Sequence, residues 1–310
     1  MALAIAVALI LIALSQLEAP PRNNENRENV NREENRVEEG DRENRSTNEG
    51  LYGEPLPWDE VKHIFPRYTT AYLVDVETGL RFEVTRRGGT YHADVQPLTA
   101  LDSEIFSRIY QGRWSWKRRA VIVETGLRRI AGSINGMPHG AGKIEGNNFR
   151  GHFCVHFLNS RVHLSGKVDT AHQMMVWKAA GRPLEPFLKA GPGEVIDLVV
   201  TALDQGECGI ASLGLSPSEA GIWLVNKCLL GQMPGMALDR MVPAGDENGN
   251  KNNGEDSTDR MKYRILLSLT GPGERGKREK YGEVEVFREQ AAAGRWLLEG
   301  EGLKRMLEDD

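Results

Sequence analysis

The sequence predicts an α+β protein in which a strand-rich mixed portion over residues 51–183 precedes a second, smaller α+β portion over 186–310. Three observations predict it. Short runs rich in Val, Ile, Thr and aromatic residues, separated by Gly-bearing turns, fill the first portion. Two helix starts follow from residue 194 onward. Runs over 264–270, 281–288 and 295–299 then read as a terminal antiparallel sheet. A chain of 310 residues has room for about two such bodies, each with an ordinary core.

The N-terminus comes first. Residues 2–14 form an unbroken apolar run of thirteen, short for a membrane span and suited to the core of a secretory signal, so 1–20 reads as a signal peptide or an N-terminal anchor. No Lys or Arg precedes the run, and the small residues Ala13, Ser15 and Ala19 make a loose cleavage pattern. Residues 21–50 hold eight Asn, nine acidic residues and six Arg, with two Val as the only aliphatic side chains to bury. Such a composition does not build a core, and 21–50 reads as a disordered linker. These features point to a secreted or membrane-anchored protein of the cell envelope. The net charge of −5 and the lack of a basic patch argue against a nucleic-acid partner.

Within 51–183, residues 71–76 and 80–85 flank Glu77-Thr78-Gly79 as a hairpin. Residues 90–97 read as the end of a strand. Thr99 is a helix cap with Asp102 three residues on, and Leu101, Ile105 and Ile109 form the apolar row of a helix ending near Tyr110. A second hairpin joins 120–124 to 127–134 around Thr125-Gly126. Residues 170–180 read as a helix closed by Gly181, with Met174, Met175 and Trp177 in the core. In the second portion, 194–203 reads as a helix, and Ser216-Pro217-Ser218-Glu219 starts another that runs to about Leu230, with Ser216 as cap. Residues 243–259 read as a polar loop. Cys208 and Cys228 can pair in an exported protein and would close a loop of about twenty residues.

The chemistry concentrates between Met137 and His163, a stretch with four of the seven histidines and one of the three cysteines. If residues 151–157 run as a strand, His152, Cys154 and His156 share one face while Phe153, Val155 and Phe157 share the other. A thiol beside imidazoles is a nucleophile in the making, because the imidazole takes the thiol proton and lowers its pKa. His139, on a loop bracketed by Pro138 and Gly140, is placed to approach Cys154 from another strand. An inert buried thiol remains the plain alternative.

The block His139-Gly140, ten residues, then Gly151-His152-Phe153-Cys154-Val155-His156 resembles the signature of YkuD-type L,D-transpeptidases. There a His-Gly precedes a Ser/Thr-His-Gly-Cys-aliphatic-Arg block by a similar interval. The resemblance implies that Cys154 attacks a peptidoglycan stem peptide, His139 is its base, Gly140 orients that base through a backbone carbonyl, and His152 is an accessory group. The acyl-enzyme would be resolved by an amine or by water. Three positions depart from the pattern: Gly151 stands for Ser or Thr, Phe153 for Gly, and His156 for an Arg whose carboxylate-holding role it can take over only in part.

Neither a metal nor another cofactor is assigned to this site. The rival reading is a zinc-dependent wall hydrolase drawing on His92, Asp94, His139, His152, Cys154, His156, His163 and Asp169, although side chains four apart on a strand stand about 13 Å apart. A third reading is a catalytically silent wall-binding module. His92 and Asp94 read as a strand-end pair bonded to backbone, and His163 and His172 as structural.

Overall fold

The computed structural model describes residues 51–126, 128–163, 165–244, 259–271, 276–290 and 294–308. Among them the fold is mixed α+β, with eight helices, a closed six-stranded barrel and a four-stranded sheet. The apolar run at 2–14, the linker at 21–50 and residues 245–258 of the expected polar loop lie outside the described residues. Among those described, no helix is long and apolar enough to cross a membrane.

The barrel strands are β1 (Thr70–Asp75), β2 (Arg81–Gly88), β3 (Ala93–Pro97), β4 (Ser115–Thr125), β5 (Arg128–Gly136) and β6 (Phe153–His156). Their order around the barrel is β1-β2-β3-β6-β5-β4, with every neighbour antiparallel. Both expected hairpins form. In the first, Asp75 accepts hydrogen bonds from the Thr78 amide at 2.9 Å and the Thr78 hydroxyl at 2.7 Å, and Gly79 takes a positive φ. In the second, Thr125 pairs with Arg128 across the turn. Closure needs one strand between β3 and β5, and β6 fills that place.

Strand alternation divides the barrel side chains into an inner and an outer set. Leu73, Phe82, Val84, Val95, Val121, Val123, Ile134, Phe153 and Val155 fall in one buried cluster, joined by Trp58 and Val61 of α1 (Trp58–Ile64) and by Phe106 and Ile109 of α2 (Ala100–Ile109). Thr99 and Asp102 cap α2 reciprocally, as read from sequence. Its inward row differs from the expected one. Leu101 is 64% exposed, and Ser103, Phe106 and Ile109 are buried, because Phe106 stacks on Phe153 at 4.3 Å and so fixes the helix rotation.

Helices α3 (Thr170–Ala179), α4 (Glu185–Lys189), α5 (Pro192–Gln205), α6 (Cys208–Gly214) and α7 (Glu219–Leu229) lead to β7 (Gly235–Pro243), β8 (Arg260–Thr270), β9 (Arg278–Arg288), β10 (Trp296–Leu298) and α8 (Glu301–Glu308). The second sheet has the order β10-β9-β8-β7. Its core is continuous with the outside of the barrel: Ala120, Ile122 and Ala131 join Met174, Met175, Val195, Val199, Leu203, Leu267 and Val286 in one buried cluster. The division read near 183–186 therefore falls within a shared core. Polar contacts cross it too, with Lys178 bonded to Glu207 at 2.7 Å and the Arg118 amide to Gln205 at 2.8 Å.

Two sequence expectations shift in this half. The cap of α7 is Ser218, whose hydroxyl accepts the Gly221 amide at 3.2 Å, and not Ser216. Ser216 is held in extended chain beside β10, with its amide bonded to Leu298 at 2.9 Å. Strand β7 was not foreseen. Its sequence GMALDRMVP has few β-branched residues, and pairing along β8 overrides that weak preference. Cys208 and Cys228 are disulfide-bonded and tie α6 to α7, a constraint worth about 3 kcal/mol.

The shared core makes a specific prediction. Residues 186–310 expressed alone would lose Ala120, Ile122, Ala131, Met174 and Met175 from their shared buried cluster, so the fragment should lack the cooperative thermal transition of the 51–310 chain when followed by circular dichroism. A sharp transition at the same temperature would show that the two halves are separate folding units.

Candidate functional site

The site lies on the outer face of β3, β6 and β5. Antiparallel pairing sets Cys154 opposite Asp94 and His156 opposite Ser133, while Val155 and Phe153 point inward. The segment between β5 and β6 then folds back so that His139 and His152 form an antiparallel bridge, each amide bonded to the other's carbonyl at 2.9 and 2.8 Å. Two glycines permit it. At Gly140, with φ +61°, a Cβ would lie 2.4 Å from His152 Cε1; at Gly151, with φ +79°, it would lie 2.4 Å from the His139 carbonyl oxygen. The strand expected from 151 consequently starts at Phe153.

His139 Nε2 stands 3.2 Å from Cys154 Sγ, and its Nδ1 lies 2.8 Å from the Met137 carbonyl oxygen. A carbonyl only accepts, so Nδ1 carries the proton and Nε2 presents its lone pair to the thiol. The orienting carbonyl is thus that of Met137 and not of Gly140, whose part is to make room for the His152 ring. His152 repeats the arrangement: Nδ1 is 3.2 Å from the Ala141 carbonyl oxygen, and Nε2 is buried without a hydrogen-bond partner. Its ring sits edge-on to that of His139 at 4.6 Å.

Three further side chains converge on the thiol. Asp94 Oδ1 lies 3.8 Å from Sγ, and His163 Nε2 lies 3.9 Å from it. His92 Nε2 and His163 Nε2 each stand 3.3 Å from Asp94 Oδ1 and 2.8 Å from one another. His92 Nδ1 is fixed at 2.7 Å by the Arg161 carbonyl. His92 and Asp94 therefore belong to the site rather than forming a separate strand-end pair, and His163, read as structural, belongs to it as well. The sequence placed Asp94 with Cys154 only as members of a broad zinc donor set, because the two meet through barrel closure, sixty positions apart.

His156 does not reach the thiol. It is buried between His172, stacked at 3.7 Å, and His92, stacked at 4.4 Å, and its Nδ1 has no hydrogen-bond partner. A side chain in that position cannot hold a substrate carboxylate, so the expected substitution for Arg is not made there. His172 is structural as read, with Nδ1 2.9 Å from the Ser133 hydroxyl. Asp169 caps α3 through the His172 amide at 2.9 Å and pairs with Arg118 at 2.8 Å, which removes it from any ligand set.

Electrostatics at the thiol run against the simple expectation of a lowered pKa. Burial, and then the charge and hydrogen bond of Asp94, push the Cys154 thiol well above its ordinary range. Both effects favour the protonated sulfur, with His139 Nε2 the nearest nitrogen to it. Burial pushes Asp94 upward too, but the hydrogen bond from His92 and the charges of His152, His92 and His163 outweigh it and hold the carboxyl below its usual value. Burial, then His92, lowers His163.

A scan of the chain against protein-family models finds no match, and no curated protein matches it.

The buried histidine stack predicts a pH dependence of stability. Burial depresses His156 and His172 well below the ordinary 6.5, with the neighbouring imidazoles and Arg118 adding to the effect. The unfolded chain then binds more protons than the folded one below that value, so this stability is complete above about pH 6.5 and is lost as pH falls. Thermal unfolding should show a falling midpoint below about pH 6.5, and His172→Gln should flatten that slope. An unchanged slope in the variant would place the titration elsewhere.

Proposed function

We propose that this chain is a cysteine acyltransferase or hydrolase acting on the peptide stems of peptidoglycan. The observation that carries the reading is the row Cys154 Sγ, His139 Nε2, His139 Nδ1 and Met137 carbonyl, at 3.2 and 2.8 Å: a nucleophile, its base, and the group that orients the base. The His-Gly and His-x-Cys block that resembles the L,D-transpeptidase signature supplies both catalytic members of that row.

In this reading His139 Nε2 takes the thiol proton as Cys154 Sγ attacks the stem-peptide carbonyl carbon. The C–N bond breaks, His139 returns the proton to the departing amine, and a thioester remains on Cys154. An incoming amine or water, deprotonated by His139, attacks the thioester and restores the thiol. His152 packs against the His139 ring and keeps it facing the sulfur. Asp94 offsets positive charge as His139 becomes protonated, which matters in a partly buried site.

Export to the cell envelope fits the same reading. The Cys208–Cys228 disulfide is the mark of an oxidising compartment, and Cys154 is left as the free cysteine. The apolar run at 2–14 would direct or anchor the chain there, with 21–50 as a tether. The catalytic part is 51–183, and 186–310 acts as the accessory part that supports it.

The test is the covalent intermediate. Protein incubated with a carbapenem or a purified stem peptide should gain the mass of one acyl group on Cys154, and Cys154→Ala should gain none. His139→Ala should slow acylation by about 100-fold or more, the usual contribution of a positioned base. Turnover of stem peptide by Cys154→Ala at the rate of the parent would overturn the proposal, and a parent protein that forms neither adduct nor product would point to the silent wall-binding module.

A further inference from the structure

We infer that His139, His152, Cys154 and His163 form a binding site for a zinc-class divalent transition-metal ion, and that its occupation switches the thiol off. The four ligand atoms, three imidazole nitrogens and one sulfur, all lie within 4.8 Å of one another. Sγ is 3.2 Å from His139 Nε2 and 3.9 Å from His163 Nε2, close to the roughly 3.4–3.7 Å between neighbouring ligands on a tetrahedral zinc.

The protonation pattern supports a cation more than a hydrogen-bond cluster. His139 and His152 each donate Nδ1–H to a backbone carbonyl, of Met137 and Ala141, so both Nε2 atoms are acceptors facing the same space. The thiol has one proton to give them. That proton is shared between His139 Nε2 at 3.2 Å and Asp94 Oδ1 at 3.8 Å, and His152 Nε2 is left buried with no hydrogen-bond partner, 3.9 Å from Asp94 Oδ1. Imidazoles held by their far nitrogen to a fixed carbonyl are the arrangement that metal-binding histidines use to set tautomer and aim. Charge fits as well: a thiolate together with the nearby Asp94 carboxylate balances a dication. His163 is the exposed member of the four, with 49% of its side chain accessible.

A second grouping, His92, Asp94, Cys154 and His163, shares two of these residues. It is the poorer cage, because His92 Nε2 and His163 Nε2 stand only 2.8 Å apart, closer than two nitrogens on one ion. Binding proceeds without redox change. The Cys154 S–H bond ionises, the Sγ–metal bond forms, and the proton leaves to buffer. The ion then holds both the nucleophile and the lone pair of its base, and all four tetrahedral positions are filled, which leaves none for a reacting water. The site stands on its own geometry, whereas its effect as a switch rests on the thiol chemistry proposed above.

The test uses the full chain freed of metal with a chelator. Zinc titrated into it should bind once per chain. Co²⁺ in its place should give a thiolate-to-cobalt charge-transfer band that is absent in Cys154→Ser. His152→Ala and His163→Ala, each checked for folding by circular dichroism, should weaken zinc binding by at least about tenfold, since loss of an outer-shell partner alone costs that much. His63→Ala, at an exposed histidine on α1, should bind as the parent does. Zinc should block acylation of Cys154, and chelator should restore it. No charge-transfer band, or unchanged affinity in both His152→Ala and His163→Ala, would overturn the site. Metal binding by a protein whose Cys154 stays inert after chelation would leave the site standing and remove the acyl-transfer reading, and the opposite result would do the reverse.

Discussion

Pairing of β6 between β3 and β5 is the constraint on which the rest of the structure depends. This strand of four residues closes the barrel, and its alternation commits Phe153 and Val155 to the interior. Cys154 and His156 are thereby committed to the outside, against Asp94 and Ser133. A slip of one residue would put a thiol and an imidazole into the apolar interior and two large hydrophobic side chains outside, so the register is strongly fixed. Phe106 stacked on Phe153 reinforces it from α2. The core thus specifies the site: the side chains that fill the barrel decide which ones face the chemistry.

Around that strand, backbone groups do most of the aiming. Carbonyls of Met137 and Ala141 fix the Nδ1 of His139 and His152 and leave each Nε2 beside the sulfur, while that of Arg161 fixes His92 with its Nε2 facing Asp94 and His163. Gly140 and Gly151 let the two histidine-bearing segments approach within hydrogen-bond distance. The result is a polar cluster in a poorly solvated place, where unpaired acceptors are costly and charges interact strongly. Its cost shows in the raised Cys154 thiol and in the orphaned nitrogens of His152 and His156. A stable core has little use for such atoms, and sites that handle protons or cations often do.

Much of this was legible in the chain before folding. Alternation at Phe153, Cys154 and Val155 gave the faces of β6, the Thr99 and Asp102 pair gave the start of α2, and the Pro-Gly bracket around His139 marked the histidine that lies 3.2 Å from the thiol. What was not legible depends on contacts distant in sequence. Asp94 and His92 enter the site only through barrel closure, and His163 only through the fold of the chain after β6. His156 looked like a site residue because it shares the parity of Cys154, but parity does not reveal that His172 on α3 packs over it. The caps of α7 and the strand β7 were misjudged for the same reason, since pairing with β10 and β8 decided them.

The central claim is that His139 serves as the base for Cys154, and one rate measures it. Cys154 is the free cysteine beside a formed disulfide, so alkylation of the chelator-treated chain by iodoacetamide reports that thiol alone. With burial and Asp94 holding the proton on the sulfur, reaction at neutral pH requires a base within reach. His139→Ala should slow alkylation by about 100-fold or more, and added imidazole should recover part of the loss. Equal rates in parent and variant, with no response to imidazole, would contradict the account.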